Sequence, residues 1–497
     1  MRIAPPLLPL VLWKAPPGLE LMLRQEGVPT RVASPDRPAS IRAGRFVLYD
    51  GRINRPRHLD DTDQVGIDLR EIAGLAPPSK LIDHEGAPHS WEVGGYRIRE
   101  RICRVDRASI RRAWIDRLKQ EIGRSGGVWA RLSPYPHPYR SAFNFRVDLD
   151  EPEPADYFAF ARARRPLNDC TTHFACTAAY GPLADVLDDL RGLDTQSHGH
   201  HHHVYRDPAQ NLANLRRADA ILRSRGFEPT GFAGPGGRWN RGLGLAVEEL
   251  GYGYSSEFQT GYDDWPFFPW LGARFSTALQ LPIHPVCEGI FLEAGLRDPS
   301  RIAEYLAGVL QAHVASGTPA FLYGHPEGRL GRYPSILARL AKEVAALDGI
   351  WRVTLTEFAR WWRWRDGRSW SLVAREPGWV EAVCDDWDPA YPLAVEIARG
   401  GHSATIPIRS ARTAIRLDAL AYERRQWRAD LPAPLLEKAP LSLRGAVRRA
   451  IDWELVTPLE ELPSQTWADR LKCRLRRWKR WRTTREGRLE ARRGADP

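Results

Sequence analysis

The chain has 497 residues, 43% hydrophobic and 27% charged, which fits a soluble globular protein of two to four domains and excludes a disordered or collagen-like one. Its six cysteines, Cys103, Cys170, Cys176, Cys287, Cys384 and Cys473, include no CxxC pair; this argues against a disulfide scaffold or a cysteine-based zinc module and points to a reducing, cytoplasmic setting. The formal charge of +11 belongs to the tail, because residues 470–493 carry twelve Lys or Arg against Glu486 and Glu490, leaving a nearly neutral body that offers no nucleic-acid surface.

No stretch approaches the roughly 18 uninterrupted apolar residues needed to cross a bilayer. The opening segment has Arg2, a short apolar run and the prolines Pro5, Pro6 and Pro9. Without a small-residue cleavage site it reads as a buried strand over 7–13, not as a signal peptide. A helix is predicted over 17–24 and a strand over 45–49, ending at the Asp50-Gly51 turn. A Pro- and Asp-rich stretch then leads to a helix over 109–122, where Ile110, Trp114, Leu118 and Ile122 share one face. Residues 1–135 thus read as an α/β region with no identifiable chemistry.

From residue 136 to 368 strands and helices alternate. Strands are predicted over 143–148, 170–176, 232–234, 252–255, 279–283 and 320–323, and helices over 182–190, 211–224, 242–250, 299–314 and 335–346. That order favours a parallel sheet, open or closed into a barrel, with chemistry at the C-terminal strand ends. A late helix with Trp361, Trp362 and Trp364 is expected on the barrel exterior. Residues 369–425 read as a small β-rich accessory domain.

Residues 426–497 read as a helical basic tail. Trp467, Leu471, Leu475 and Trp478 recur at i, i+4, i+8 and i+11, and eight of the thirteen residues 470–482 are Lys or Arg. A cationic amphipathic helix of this kind can lie on an anionic membrane surface. The same stripe could instead dock on the protein, and a nucleic-acid partner would rest on this tail alone.

The most informative segment is Ser197-His198-Gly199-His200-His201-His202-His203. Neutral imidazole is the commonest protein metal ligand, and His198 and His202, four apart, can converge on one ion if the loop or first helical turn stacks them. A nonspecific chelating tract would have the same composition, although this one is internal and interrupted by Gly199. Phe145-Arg146-Val147-Asp148-Leu149-Asp150 supplies hard oxygen donors, since an apolar strand ending in Asp-x-Asp puts both carboxylates on one side at its C-terminal end. One carboxylate can bind metal while the other takes a proton; a strand-end turn with a helix-capping Asp would use the same residues.

The order of these segments resembles the polysaccharide deacetylase family, the metal-dependent de-N-acetylases of chitin, chitooligosaccharides and peptidoglycan. It is carried by the Asp-x-Asp strand end, Ser197-His198-x-x-x-His202, the turn Gly231-Phe232-Ala233-Gly234-Pro235-Gly236-Gly237, and the late strand Phe321-Leu322-Tyr323-Gly324-His325. The match spans about residues 142–360. It implies a distorted barrel of about seven β/α units and a divalent ion, zinc or similar, held by Asp150, His198 and His202. It further implies Asp148 as general base, His325 as general acid, and Pro235 and Gly236 in the substrate groove. Trp239 lies near that groove, Asp264 and Trp265 fall where the family has a fourth motif, and His284 ends a strand that could line the same face.

The sequence departs from the family in two places. Leu149 separates the two aspartates, and Ala233 replaces the arginine that orients the base, a loss that Arg146 or Arg238 could compensate. The resulting expectation is a hydrolase that removes an N-acetyl group from an amino sugar of a polysaccharide or lipid-linked glycan, in the cytoplasm or on the inner membrane surface. The alternatives are hydrolysis of another nonpeptide C–N amide and an inactive glycan-binding relative.

Overall fold

The strand Ser141–Leu149 (β1) is buried at all nine positions, and its two faces have different tasks. Phe143, Phe145, Val147 and Leu149 pack into the core under the surrounding helices. By the two-residue period of a strand, Ala142, Asn144, Arg146 and Asp148 face the other way, into an interior that Ala142 shares with Phe174, Phe321 and Val353. The computed structural model describes residues 7–33, 43–51, 56, 64–72, 74–84, 89–93, 96–100, 106–151, 153–293, 296–399, 401–424, 429–432, 467, 470–475 and 478.

On one side of β1 follow β2 (Thr171–Ala175), β3 (Asp194–Ser197), β4 (Gly231–Phe232), β5 (Tyr254–Ser255) and β6 (Leu279–Gln280), each parallel to the one before. On the other side β7 (Ala320–Gly324) and β8 (Ile350–Arg352) both pair with β1 in parallel. Just past β6, the His284 N–H donates to the Phe321 carbonyl at 2.8 Å and brings the two ends of the sheet together. The result is a distorted (β/α)7-type barrel. Helices such as Pro208–Ser224, Arg241–Glu249, Pro299–Ser316 and Pro334–Ala346 connect its parallel strands, as parallel pairing requires.

The helix Leu355–Asp366 does not lie on the barrel exterior as expected. It closes the end where the strands begin: Leu355 N–H donates to Thr172 Oγ1 and Thr356 Oγ1 to Asp194, both at 2.8 Å, while Arg363 donates to the carbonyls of Gly253 and Thr277. Trp361 and Trp362 are buried in this closure.

The N-terminal region holds a four-stranded parallel sheet, ordered Thr30–Ala33, Leu10–Trp13, Phe46–Tyr49, Val65–Asp68. The helices Pro17–Glu26 and Arg107–Arg124 pack with it. The C-terminal β-rich region is not separate from it. Trp129–Leu132 pairs antiparallel with Ala394–Arg399, and one hydrophobic core contains Leu10, Leu48, Leu118, Trp370 and Val395 together.

Among the described residues no helix is long and apolar enough to cross a membrane. Of the amphipathic stretch 467–482, the described residues are helical, and Trp467, Leu471 and Trp478 are exposed. Its other positions, residues 433–466 and 483–497 of the tail, and Cys103 lie outside the described residues.

Candidate metal centre

Asp148 and Asp150 leave the C-terminal end of β1, His198 follows β3 directly, and His325 follows β7 directly. All four therefore meet at the strand-end rim of the barrel, where side chains from separate strands can converge without distorting the sheet. His202 arrives through a loop. Gly199 takes φ +85° there, a left-handed turn, and a Cβ at that position would stand 2.9 Å from Asn214 Nδ2. Asn214, reaching from the helix Pro208–Ser224, fastens the loop: its Oδ1 accepts from His201 N–H at 2.8 Å, and its Nδ2 donates to the carbonyls of His201 and His203. His198 and His202 are thereby brought side by side, ring centres 4.9 Å apart and planes tilted by 53°.

Both imidazoles aim Nε2 at the same oxygen, Asp150 Oδ1, at 3.1 Å for His198 and 3.2 Å for His202. Two donors each about 2.1 Å from a tetrahedral zinc ion would stand about 3.4 Å apart, so the spacing fits a divalent ion. His198 Nδ1 is buried and has no hydrogen-bond partner among the described residues. The three donor atoms lie within 4.8 Å of one another, and a mixed N, N, O set suits zinc or a similar ion with a coordination position left open. His198 and His202 are buried, while the Asp150 side chain is 22% exposed and marks the open side.

Asp148 points into the barrel interior, where Arg146, two residues earlier on the same face, grips it with Nε to Oδ1 at 2.6 Å and Nη2 to Oδ2 at 2.7 Å. Arg146 is anchored in turn by the Ser256 carbonyl and hydroxyl, with Phe174 beneath its guanidinium. Burial pushes the Asp148 carboxyl up, but Arg146 and then His198 outweigh it and hold the group below the usual carboxylate range. Of the two arginines that could replace the missing one at Ala233, Arg146 is the one that holds Asp148.

His325 faces the same space from the end of the neighbouring strand β7, with Nε2 3.5 Å from Asp150 Oδ2. Its other side is packed with charge. Glu288, wholly buried, accepts the His325 backbone N–H at 2.9 Å and places Oε1 3.5 Å from Nδ1. Arg329 Nη1 stands 2.5 Å from the same nitrogen, and Cys287 completes the cluster. Burial and Arg329 push the imidazole down, but Asp150, Cys287 and Glu288 push it up further, to about 10. An ion on Asp150 would cancel that residue's share.

The turn Pro235–Gly237 is pinned by Glu257, whose Oε1 accepts from Gly234 N–H at 2.9 Å. Pro235 is buried and Gly236 exposed. The other residues singled out by sequence have different surroundings. Trp239 is buried against Phe258 and His84. Asp264 pairs with Arg111 and Arg112 at 2.5 Å each, and Trp265 packs on Trp362 and Tyr135, beside the helix that closes the strand-start end. His284 is wholly buried beside Tyr305 and His313 and is pushed well below its usual range by burial and then His313. His200 is buried on Thr177, and its pKa is lowered to about 4 by burial and then His201.

Sequence reasoning missed Glu288, Arg329 and Glu257. Glu288 lies 37 residues before the histidine it supports, and no local pattern links the two. Arg146 had a signal, because residues i and i+2 of a strand share a face.

The fold and site define an α/β barrel with a three-residue metal donor set and a carboxylate and an imidazole beside it. No family model and no curated protein matches the sequence. Similar solved structures include one from Mycobacterium smegmatis assigned as a polysaccharide deacetylase, at 19% identity over 46% of this chain and 93% of that one, with a TM-score of 0.41. Another is the peptidoglycan deacetylase PdaC from Bacillus subtilis, at 14% identity over 46% and 92%, with a TM-score of 0.32. A third is a family 4 carbohydrate esterase from Streptomyces lividans in complex with acetate, at 14% identity over 43% and 91%, with a TM-score of 0.30.

Proposed function

We infer that this chain is a metal-dependent hydrolase that removes an N-acyl group, acetyl by preference, from an amino sugar of a polysaccharide or lipid-linked glycan. The observation that carries the reading is the convergence of Asp150, His198 and His202 on one point, flanked by Asp148 and His325. A divalent ion, zinc or similar, held by those three residues would polarise the acyl carbonyl and acidify a water. Asp148, held below the usual carboxylate range and fixed in orientation by Arg146, would take the water's proton. His325, whose pKa its acidic neighbours raise, would in its protonated form give one to the departing amine, which is too basic to leave unaided.

The Arg146 clamp weighs against an inactive glycan-binding relative, because it supplies the base with the guanidinium that Ala233 lacks. The test is metal content of the full chain beside Asp150→Ala and His198→Ala, followed by acetate release from N-acetylated amino sugars. About one equivalent of ion, lost in both variants, with acetate released only by the loaded wild type, is the expected result. Wild type that neither holds nor can be loaded with an ion would overturn it.

A further inference from the structure

At the opposite end of the barrel from the metal centre, a cleft of about 310 Å³ opens between the N-terminal sheet and the last turn of the helix Leu355–Asp366. Four guanidinium groups line it, those of Arg24, Arg31, Arg365 and Arg368, against the single carboxylate of Asp366. Two of the four are already paired. Arg24 grips Asp366 with Nε at 2.7 Å, and Arg368 reaches Asp386 at 2.9 Å. Arg31 is exposed.

Arg365 is different. It is 2% exposed, stacked on the Trp362 ring at 4.5 Å, and it spends only Nη2, on the Leu132 carbonyl at 3.2 Å. Its Nε and Nη1 are buried with no hydrogen-bond partner among the described residues. Gly27, at φ +75°, packs so closely on this guanidinium that no side chain would fit there. The nearest acids, Asp366, Glu26 and Glu396, attract this guanidinium but are hydrogen-bonded by other arginines, and burial together with Arg131 outweighs them, lowering its pKa to about 10. In the adjoining ionic network Arg107, Arg111, Arg112 and Arg131 face Glu26, Asp263, Asp264 and Glu396, and Lys119 adds a further cation beside Glu26, so no anion is in excess there. A buried cation with two donors left unused is costly unless something pairs with it.

We propose that this cleft binds a phosphoryl group, with Arg365 as the buried anchor and Arg31 as its solvent-side partner. Arginine donors arranged around a small cleft suit a multivalent oxyanion, and the cleft is near the lower size limit of small-ligand sites. The phosphoryl group could belong to a free phosphate compound or to a lipid headgroup, and the two sources are separable by experiment.

The test uses the full chain with its metal, at constant ionic strength, and reads melting temperature against inorganic phosphate. Wild type is expected to gain stability with phosphate and not with equimolar chloride. Arg31→Ala, at an exposed position, should fold normally and bind at least tenfold more weakly. Arg365→Leu should lose the phosphate effect while melting, without phosphate, no lower than wild type, since it removes a buried charge that its neighbours compensate incompletely. His198→Ala should keep the effect, which separates this cleft from phosphate on the metal. Flotation with phosphatidate vesicles then assigns the source. An Arg365-dependent shift in binding marks a lipid headgroup, and a phosphate effect without one marks a soluble compound. No phosphate effect in wild type, or an undiminished effect in both arginine variants, would overturn the proposal.

Discussion

Arg146 holds Asp148 through two parallel hydrogen bonds along one face of a single strand. The pair needs no loop to assemble it, because the strand's own repeat brings the two side chains together. The guanidinium that fixes this carboxylate is thereby built into the barrel wall.

Arg146→Met should therefore leave the metal in place and lower turnover. Orientation and charge of a general base are worth about a hundredfold or more in rate, so kcat is expected to fall by about 10² with metal content unchanged. Arg146→Lys, which keeps charge but not the two-pronged grip, should recover only part of it. Loss of the ion in Arg146→Met would show that the clamp acts on the metal site instead.

If His325 is the general acid proposed above, the alkaline limit of activity should follow its pKa, since only the protonated imidazole can serve the leaving amine. Glu288 is among the groups that raise its pKa, and Arg329 opposes it. Glu288→Gln should bring the alkaline limb of the kcat/KM profile down by about one unit, and Arg329→Met should carry it up. Protonation also requires Arg329 to yield, because a guanidinium can only donate and it faces Nδ1, which must then turn its proton to Glu288. A profile that neither substitution moves would remove His325 from the proton path.

Much of this centre was legible in the sequence because its parts lie at strand ends with short local signatures: Asp-x-Asp, the histidine loop and the late Gly-His. Two barrel strands were not. Asp194–Ser197 is polar in composition and earns its buried place through hydrogen bonds, with Gln196 Oε1 accepting from Thr230 and Gly231 N–H and Asp194 from Thr172 and Thr356. Hydropathy cannot register that. Ile350–Arg352 is too short to show a period. Asp264 and Trp265 fell in a loop of the expected kind, yet the contacts that claim them come from Arg111 and Trp362, far away in the chain.

Glu257 makes stability depend on pH. Burial raises its carboxyl from 4.5 to about 7, against the opposing bonds from Gln280 and Ser255. The folded state thus holds the proton more tightly than the unfolded one. Its contribution is full below about pH 4.5 and is lost as pH rises through 7, a change on the order of 3 kcal/mol. Glu257→Gln should flatten the unfolding free energy between pH 5 and 7, measured by denaturant titration. An unchanged slope would mean the carboxyl titrates normally.

Arg111 ties the N-terminal region to the barrel. It reaches Glu26, Asp263 and Asp264 from a position with 2% of its side chain exposed. Removing one partner of a buried ion pair leaves the others uncompensated, at a cost of about 3–5 kcal/mol. Arg111→Met should lower stability by that amount, whereas Arg274→Ala, breaking the half-exposed pair with Glu248, should cost about 1 kcal/mol or less. Because the N-terminal and C-terminal regions share one core, a chain starting at residue 136 should not fold, and the full chain should melt in one calorimetric transition. Two resolved transitions, with the first moved by Arg111→Met and the second unmoved, would show instead that the barrel stands on its own.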